Sequence, residues 1–171
     1  DRAIHQGEWS KNTFLNLTRT LNNKVVGIIG GGNIGRQVAS RVQAFGSTVQ
    51  YYDPFRLPEE MEEKLHMKYV GLEELIRTSD VITLHVPLMD STRHMIGEKE
   101  IEKMKDGAIL INVARGGLMD DEAVVNAVNS GKLSGAGIDC VEEEPAKPGS
   151  LILENPNIIV TPHVGGGSAD I

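Results

Sequence analysis

The sequence predicts an α/β domain: a doubly wound parallel sheet with helices on both faces. Two observations predict it. Short apolar runs rich in β-branched residues alternate with segments of helical period along the chain, the order expected of parallel strands joined by crossover helices. The first run, Val25 to Ile29, ends at Gly30-Gly31-Gly32, and a helical pattern follows through Ile34, Val38, Val42 and Phe45 to Gly46. Within this strand–turn–helix, Gly30, Gly32 and Gly35 fit G-x-G-x-x-G. The first glycine suits a tight turn, the second lets backbone approach a pyrophosphate, and the third packs helix on strand. The helix N-terminus supplies free N–H groups and a positive dipole end for phosphates. The predicted fold is therefore Rossmann-type.

Ahead of that strand, Asp1 to Thr20 is polar, with Trp9, Phe14, Leu15 and Leu17 as apolar anchors. It reads as a helical start and a loop, able to pack on its own domain or on a partner subunit. After the first helix, Thr48 to Tyr52 reads as a second strand ending at Asp53, 18 residues beyond Gly35. That is near the ~20 expected of a ribose-binding acid. A carboxylate there can accept both adenosine ribose hydroxyls and repels a 2′-phosphate, which favours NAD over NADP. Arg56 weakens the preference, because an arginine can pair a 2′-phosphate.

Glu59 to His66 reads as a charged helix, Met67 to Val70 as a short strand, and Leu72 to Ile76 as a short helix. Val81 to Val86 is a strand halted by Pro87, and Lys99 to Met104 a helix. Ala108 to Val113 is an apolar run bounded by glycines, typical of a strand buried on both faces. Asp120 is a good N-cap for a helix carrying Ala123, Val124, Ala127 and Val128 inward until Gly131. Leu133 to Ile138 and Ile158 to Thr161 are the last strands.

The chain of 171 residues is one domain by length and long enough for a real core. A formal net charge of −7 without a basic block argues against a nucleic-acid surface. One cysteine, Cys140, excludes an internal disulfide and suits a reducing compartment. No apolar run reaches membrane-spanning length and no signal-peptide pattern opens the chain, so a cytoplasmic protein is the default expectation. The chain starts at Asp1 without a methionine and stops just after a glycine cluster, as expected of a piece of something longer. No metal is expected.

Ligands bind such sheets outside the carboxyl ends of the strands. Polar residues that follow strands are therefore the candidates: Arg115 in Asn112 to Gly117, Asp139, Glu144 and His163. Alone, each has an ordinary structural reading. Together on one edge they suit hydride transfer to a 2-keto acid. Arginine offers a planar fork for a carboxylate. Histidine can protonate the nascent alkoxide, and a neighbouring carboxylate orients it and fixes its tautomer. His85 competes for the acid role and ranks second, being nearer the middle of the sheet. His5, His66 and His94 read as surface residues, and Cys140 as a small apolar filler.

These motifs resemble the nucleotide-binding domain of the D-isomer-specific 2-hydroxyacid dehydrogenases. The similarity runs from about Trp9 to Gly167. It rests on Gly27 to Gly35, Tyr52-Asp53-Pro54, Leu84 to Leu88, Asn112 to Gly117, Gly135 to Asp139, Glu144-Pro145 and Thr161-Pro162-His163. It implies an NAD cofactor and a small 2-hydroxy or 2-keto acid substrate. Arg115 matches the family's substrate-holding arginine, Glu144 its supporting glutamate and His163 its general acid/base. Asp53 matches its ribose acid, and Asn33 and Ile34 its pyrophosphate-contacting pair. Val86, Pro87 and Thr92 match its cofactor-lining loop. Val113, Ala114 and Asp139 match residues about the nicotinamide. Gly31 departs from the larger residue usual between the first two glycines, which is expected to loosen the turn without abolishing binding. Family members also carry a substrate domain built from both chain ends, so residues 1–171 are expected to be the cofactor domain alone. The resemblance further implies a homodimer through the N-terminal segment. A non-enzymatic NAD-sensing module, as in corepressor relatives, is the alternative.

Overall fold

A computed structural model describes residues 5–7, 9 and 18–167. The strands are β1 (Val25–Ile29), β2 (Thr48–Tyr52), β3 (Met67–Tyr69), β4 (Val81–Leu84), β5 (Ala108–Asn112), β6 (Leu133–Ile138) and β7 (Ile158–Val160). The helices are α1 (Asn33–Ala44), α2 (Glu59–Leu65), α3 (Leu72–Thr78), α4 (Glu98–Lys103), α5 (Asp121–Asn129) and α6 (Leu151–Glu154). All pairings are parallel, in the order β3-β2-β1-β4-β5-β6-β7. The order reverses between β1 and β4. Connections leave these neighbours in opposite directions there, which opens a crevice at their carboxyl ends.

Both faces of the sheet are packed, as its apolar strands require. Val26, Ile28, Val49 and Tyr51 pack with Ala39 of α1 on one face. Ile29, Ile82, Leu84 and Leu110 pack with Leu75, Ile101, Val124 and Val128 of α3, α4 and α5 on the other. Ile28, Ile82, Leu84 and Leu110 are wholly buried, each such side chain contributing about 1.5–3 kcal/mol. Asp120 caps α5 as expected, accepting from the Ala123 N–H at 3.0 Å.

Some boundaries differ from expectation. β4 ends at Leu84, so His85 and Val86 belong to the loop, where Val86 packs against the Cα side of Gly30. β5 ends at Asn112, which leaves Val113 43% exposed in the loop rather than in the strand. The short helix α6 carries no clear period and is absent from the sequence reading. Of the N-terminal anchors, Trp9 is 85% exposed, whereas Phe14, Leu15 and Leu17 lie outside the described residues. Among the described residues, no helix is long and apolar enough to cross a membrane.

Candidate functional site

The glycine turn after β1 is held by its neighbours on both sides. Gly30 adopts φ +112°, which L side chains avoid, and a Cβ there would lie 2.5 Å from the His85 carbonyl oxygen. Its N–H donates to the Tyr52 carbonyl at 2.8 Å. Gly35 is packed more tightly, with a hypothetical Cβ 2.0 Å from the Gly30 carbonyl oxygen. Gly32 is different: among the described residues, a Cβ there would meet nothing within 4 Å. It faces open space at the N-terminus of α1, whose first turn carries no acidic residue. Open space, free helical N–H groups and no competing anion fit a pyrophosphate. Asn33 and Ile34 begin the helix there, and Ile34 is 65% exposed.

Asp53 ends β2 beside this turn. Its Oδ2 accepts from the Gly31 N–H and its Oδ1 from the Phe55 N–H, both at 2.8 Å. Carboxylate lone pairs remain for ribose hydroxyls. The turn is not loosened at Gly31. Its N–H is fixed by Asp53, and a Cβ there would come within 3.0 Å of the Tyr51 ring. The small residue makes room for a large one beneath it. Across the crevice, Thr92 closes the loop after β4 by donating to the Pro87 carbonyl at 2.8 Å and accepting from the Met89 N–H.

At the other end of the crevice, three loops converge. Asn112, fully buried at the end of β5, donates to the carbonyl oxygens of Arg115 at 2.9 Å and Cys140 at 3.4 Å. Its Oδ1 accepts from the Ala114 N–H. This one amide fixes the turn bearing Arg115 against the exit of β6. Gly116 lets the two loops meet, since a Cβ there would strike the Val141 carbonyl. The Arg115 side chain is exposed and donates to the Ala114 carbonyl.

Asp139, at the exit of β6, is buried, and its carboxylate accepts from the Thr161 hydroxyl and from the Val164 and Gly165 N–H groups. The Thr161 bond is the leading reason that its carboxyl is held below the usual carboxylate range. Its backbone carbonyl accepts from the His163 N–H at 2.9 Å. The carboxylate of Asp139 thus anchors the loop that presents His163; the resemblance also implies a nicotinamide contact for this residue. His163 sits at φ +53°, and its Nδ1 lies 2.8 Å from Glu144 Oε2. The pair borders a cleft of about 540 Å³ whose walls include Pro162, Leu153 and Val160.

His85, the competing acid, is half-buried against Thr83, its Nε2 3.0 Å from the Thr83 Oγ1. Burial pushes its pKa down to about 4, so it is neutral at working pH. Cys140 is buried beside the His163–Glu144 pair, and burial pushes its thiol up. Ligand atoms of Cys140, Glu144 and His163 all lie within 4.8 Å of one another. Cys140 Sγ lies 3.5 Å from the Ala114 carbonyl oxygen, to which it donates, and the side chain is packed in the interior.

Residues 1–165 match the family model described as D-isomer specific 2-hydroxyacid dehydrogenase, NAD binding domain. The chain belongs to this family. It is 45% identical over 163 residues to 4-methyl-2-oxopentanoate reductase A of Aspergillus oryzae, covering 95% of this chain and 48% of that protein. Among solved structures, a glyoxylate reductase from Paecilomyes thermophila superposes with a TM-score of 0.89 at 44% identity, covering 99% of this chain and 50% of that one. D-lactate dehydrogenase from Aquifex aeolicus, complexed with NAD and lactic acid, gives 0.87 at 36% identity, covering 98% of this chain and 54% of that one. The chain thus spans about half the length of these relatives.

For a dehydrogenase NAD-binding domain, the structure brings together what the sequence suggested. Gly30, Gly32, Gly35 and Asp53 form one cradle, and Arg115, Glu144 and His163 follow three successive strands, β5, β6 and β7. Asn112 and Thr161 were quoted in the motifs but given no role. A polar residue that ends an apolar strand run was the available signal for Asn112. Thr161, which ends the apolar run Ile158 to Val160, carried the same signal.

Proposed function

We propose that the protein is an NAD-dependent oxidoreductase that moves a hydride between NAD(H) and a small D-2-hydroxy acid or its 2-keto acid. Residues 1–171 are its dinucleotide-binding domain. The observation that carries this reading is the His163–Glu144 pair at 2.8 Å, on the same sheet edge as the glycine cradle and Asp53. NADH, when bound, supplies the hydride. Glu144 accepts from Nδ1–H of His163 and supports the protonated ring, whose Nε2–H gives its proton to the carbonyl oxygen of the substrate and leaves the neutral Nδ1–H tautomer. In the reverse direction Nε2 takes that proton back. Arg115 holds the substrate carboxylate through its planar fork. Asn112 and Asp139 keep the loops of Arg115 and His163 in place. Asp53 takes the adenosine ribose hydroxyls and disfavours a 2′-phosphate, while Val86, Pro87, Thr92, Val113 and Ala114 line the cofactor's path.

Because Arg115, Glu144 and His163 are exposed, the rest of the full-length protein supplies the second wall of the cleft. The names of the relatives, a glyoxylate reductase and a lactate dehydrogenase, support small 2-keto and 2-hydroxy acids as substrates. A cytoplasmic homodimer completes the reading. The single buried Cys140 suits a reducing compartment, and the exposed ring of Trp9 offers apolar surface to a partner subunit. No observation favours the corepressor-type alternative.

The test is NADH oxidation by the full-length protein with glyoxylate, hydroxypyruvate and pyruvate. Turnover with at least one acid, faster with NADH than with NADPH, is expected. Asp53→Ala should narrow that preference by about tenfold, the worth of roughly one charge-assisted contact. NADH binding without turnover on any 2-keto acid would sink the enzyme reading and leave the cofactor reading standing.

A further inference from the structure

The rim of the ribose site contains a second charged system that the catalytic reading does not use. Arg56 lies three residues past Asp53 and donates to Glu62 through Nε at 2.9 Å and through its terminal nitrogen at 2.8 Å. Its guanidinium also sits 5.1 Å from the centre of the Tyr69 ring, within cation–π range. Glu62, on α2, has a side chain only 10% exposed. It accepts a third bond, from the Tyr51 hydroxyl at 2.6 Å. Tyr51 in turn accepts from the Leu57 N–H at 2.9 Å, which fixes the loop between β2 and α2.

An arginine near a ribose acid is the residue type that accommodates a 2′-phosphate. Here that arginine is already occupied. Turning it toward a phosphate would strip a nearly buried carboxylate of its counter-charge and two hydrogen bonds, a costly state. The other arginine on this rim, Arg36, is held as well. It donates to Asn33 Oδ1, to the Gly32 carbonyl and toward Met61 Sδ. Arg56 first, and then Tyr51, pull the Glu62 carboxyl down to about 2, so the hold persists across the working pH range.

We propose that Glu62 is a specificity-setting positioning residue: by gripping Arg56 in a two-point ion pair, it withholds the cation that would otherwise accept a 2′-phosphorylated dinucleotide. The inference rests on the NAD reading above. Discrimination then has two layers. Asp53 repels the phosphate, and Glu62 removes its natural partner.

The experiment measures NADH and NADPH affinity by fluorescence titration in the full-length protein, with thermal melting as a folding control. Glu62→Gln loses the counter-charge and should tighten NADPH binding by about tenfold, as expected for one freed charge-assisted contact, with NADH little changed. Glu62→Asp shortens the reach and should act in the same direction. Arg56→Ala alone should leave both affinities within about twofold, because a sequestered arginine contributes to neither. Adding Arg56→Ala to Glu62→Gln should cancel the gain. Equal weakening of both cofactors in the Glu62 variants would show a merely structural role and overturn the proposal. So would loss of NADPH affinity in Arg56→Ala alone, or a gain that survives in the double variant, which would point to Arg36. Equal affinity of the unmodified protein for both cofactors would instead overturn the NAD reading itself.

Discussion

The two ends of the crevice are built to different standards of closure. At the ribose end, Asp53 is fixed by two backbone N–H groups, and Glu62 is wrapped by three donors over a wholly buried Tyr51. At the catalytic end, the loop backbones are equally well fixed, by Asn112 and Asp139. Their functional side chains are not covered. Those of His163 and Glu144 are 44% and 38% exposed, and the Arg115 side chain, exposed as well, donates to the Ala114 carbonyl. The difference teaches which function each end completes within these residues. Recognition of the dinucleotide needs rigid donors and acceptors, and they are in place. Proton transfer and carboxylate capture need charges in a dry site, where each is worth far more than in water. On the function proposed above, the geometry at the catalytic end is prepared and the drying would fall to the rest of the full-length protein.

The largest expected effect would break the comparison at its catalytic end. His163→Ala in the full-length protein should lower kcat by roughly 10²–10⁴, the range for a positioned acid/base. NADH affinity should fall far less, since the ribose end is untouched. Stopped-flow turnover set beside a binding titration separates the two. Near-unchanged kcat would remove His163 from the acid role and reopen it for His85.

A smaller pair of changes sharpens the comparison at the binding end. Gly32→Ala meets no atom of the described residues within 4 Å, and its φ of −68° suits alanine. It should leave the melting temperature nearly unchanged while filling the space through which backbone approaches the pyrophosphate. Gly35→Ala would place a methyl group 2.0 Å from the Gly30 carbonyl oxygen. It should destabilise the domain by about 1–3 kcal/mol, as overpacking does, and weaken binding only through that. Equal loss of stability in both would mean that Gly32 serves folding rather than phosphate access.

These contrasts also mark what could be read from the sequence. The placement of Gly30, Gly32, Gly35 and Asp53 was legible because it follows from residue type and spacing along one strand–turn–helix unit and the strand after it. Arg115 and His163 were legible because polar residues at strand ends must share an edge once the sheet is parallel. Glu62 was not. It lies in a charged helical run beside Glu59, Glu60 and Glu63, and only the packing of α2 against β3 and α1 brings it against Tyr51 and Arg56. Gly31 misled for the same reason, since its size answers a ring on the neighbouring strand. The extent of β4 misled because Val86 resumes the apolar run, yet the strand ends at Leu84: the His85 N–H still donates to the Ile29 carbonyl at 2.7 Å, and Val86 lies against Gly30.

His85 tests whether the crevice floor differs from its catalytic rim. Its pKa is pushed down by burial to about 4, against an ordinary value of 6.5. The unfolded chain therefore binds a proton more readily than the folded one between these values, and folding stability must rise with pH across that window. Stability contributed by keeping His85 neutral is intact above pH 6.5 and falls away as pH drops toward 4, by about 3 kcal/mol in all. His85→Gln retains a side-chain amide able to bond Thr83 but cannot titrate. Denaturant unfolding at several pH values should show that this variant loses less stability on acidification than the unmodified protein. The difference should be confined to that window, because carboxylates titrate mainly below it. Parallel stability curves for the two proteins would mean that His85 is reached by water, and the separation between a dry floor and an open catalytic rim would fail with it.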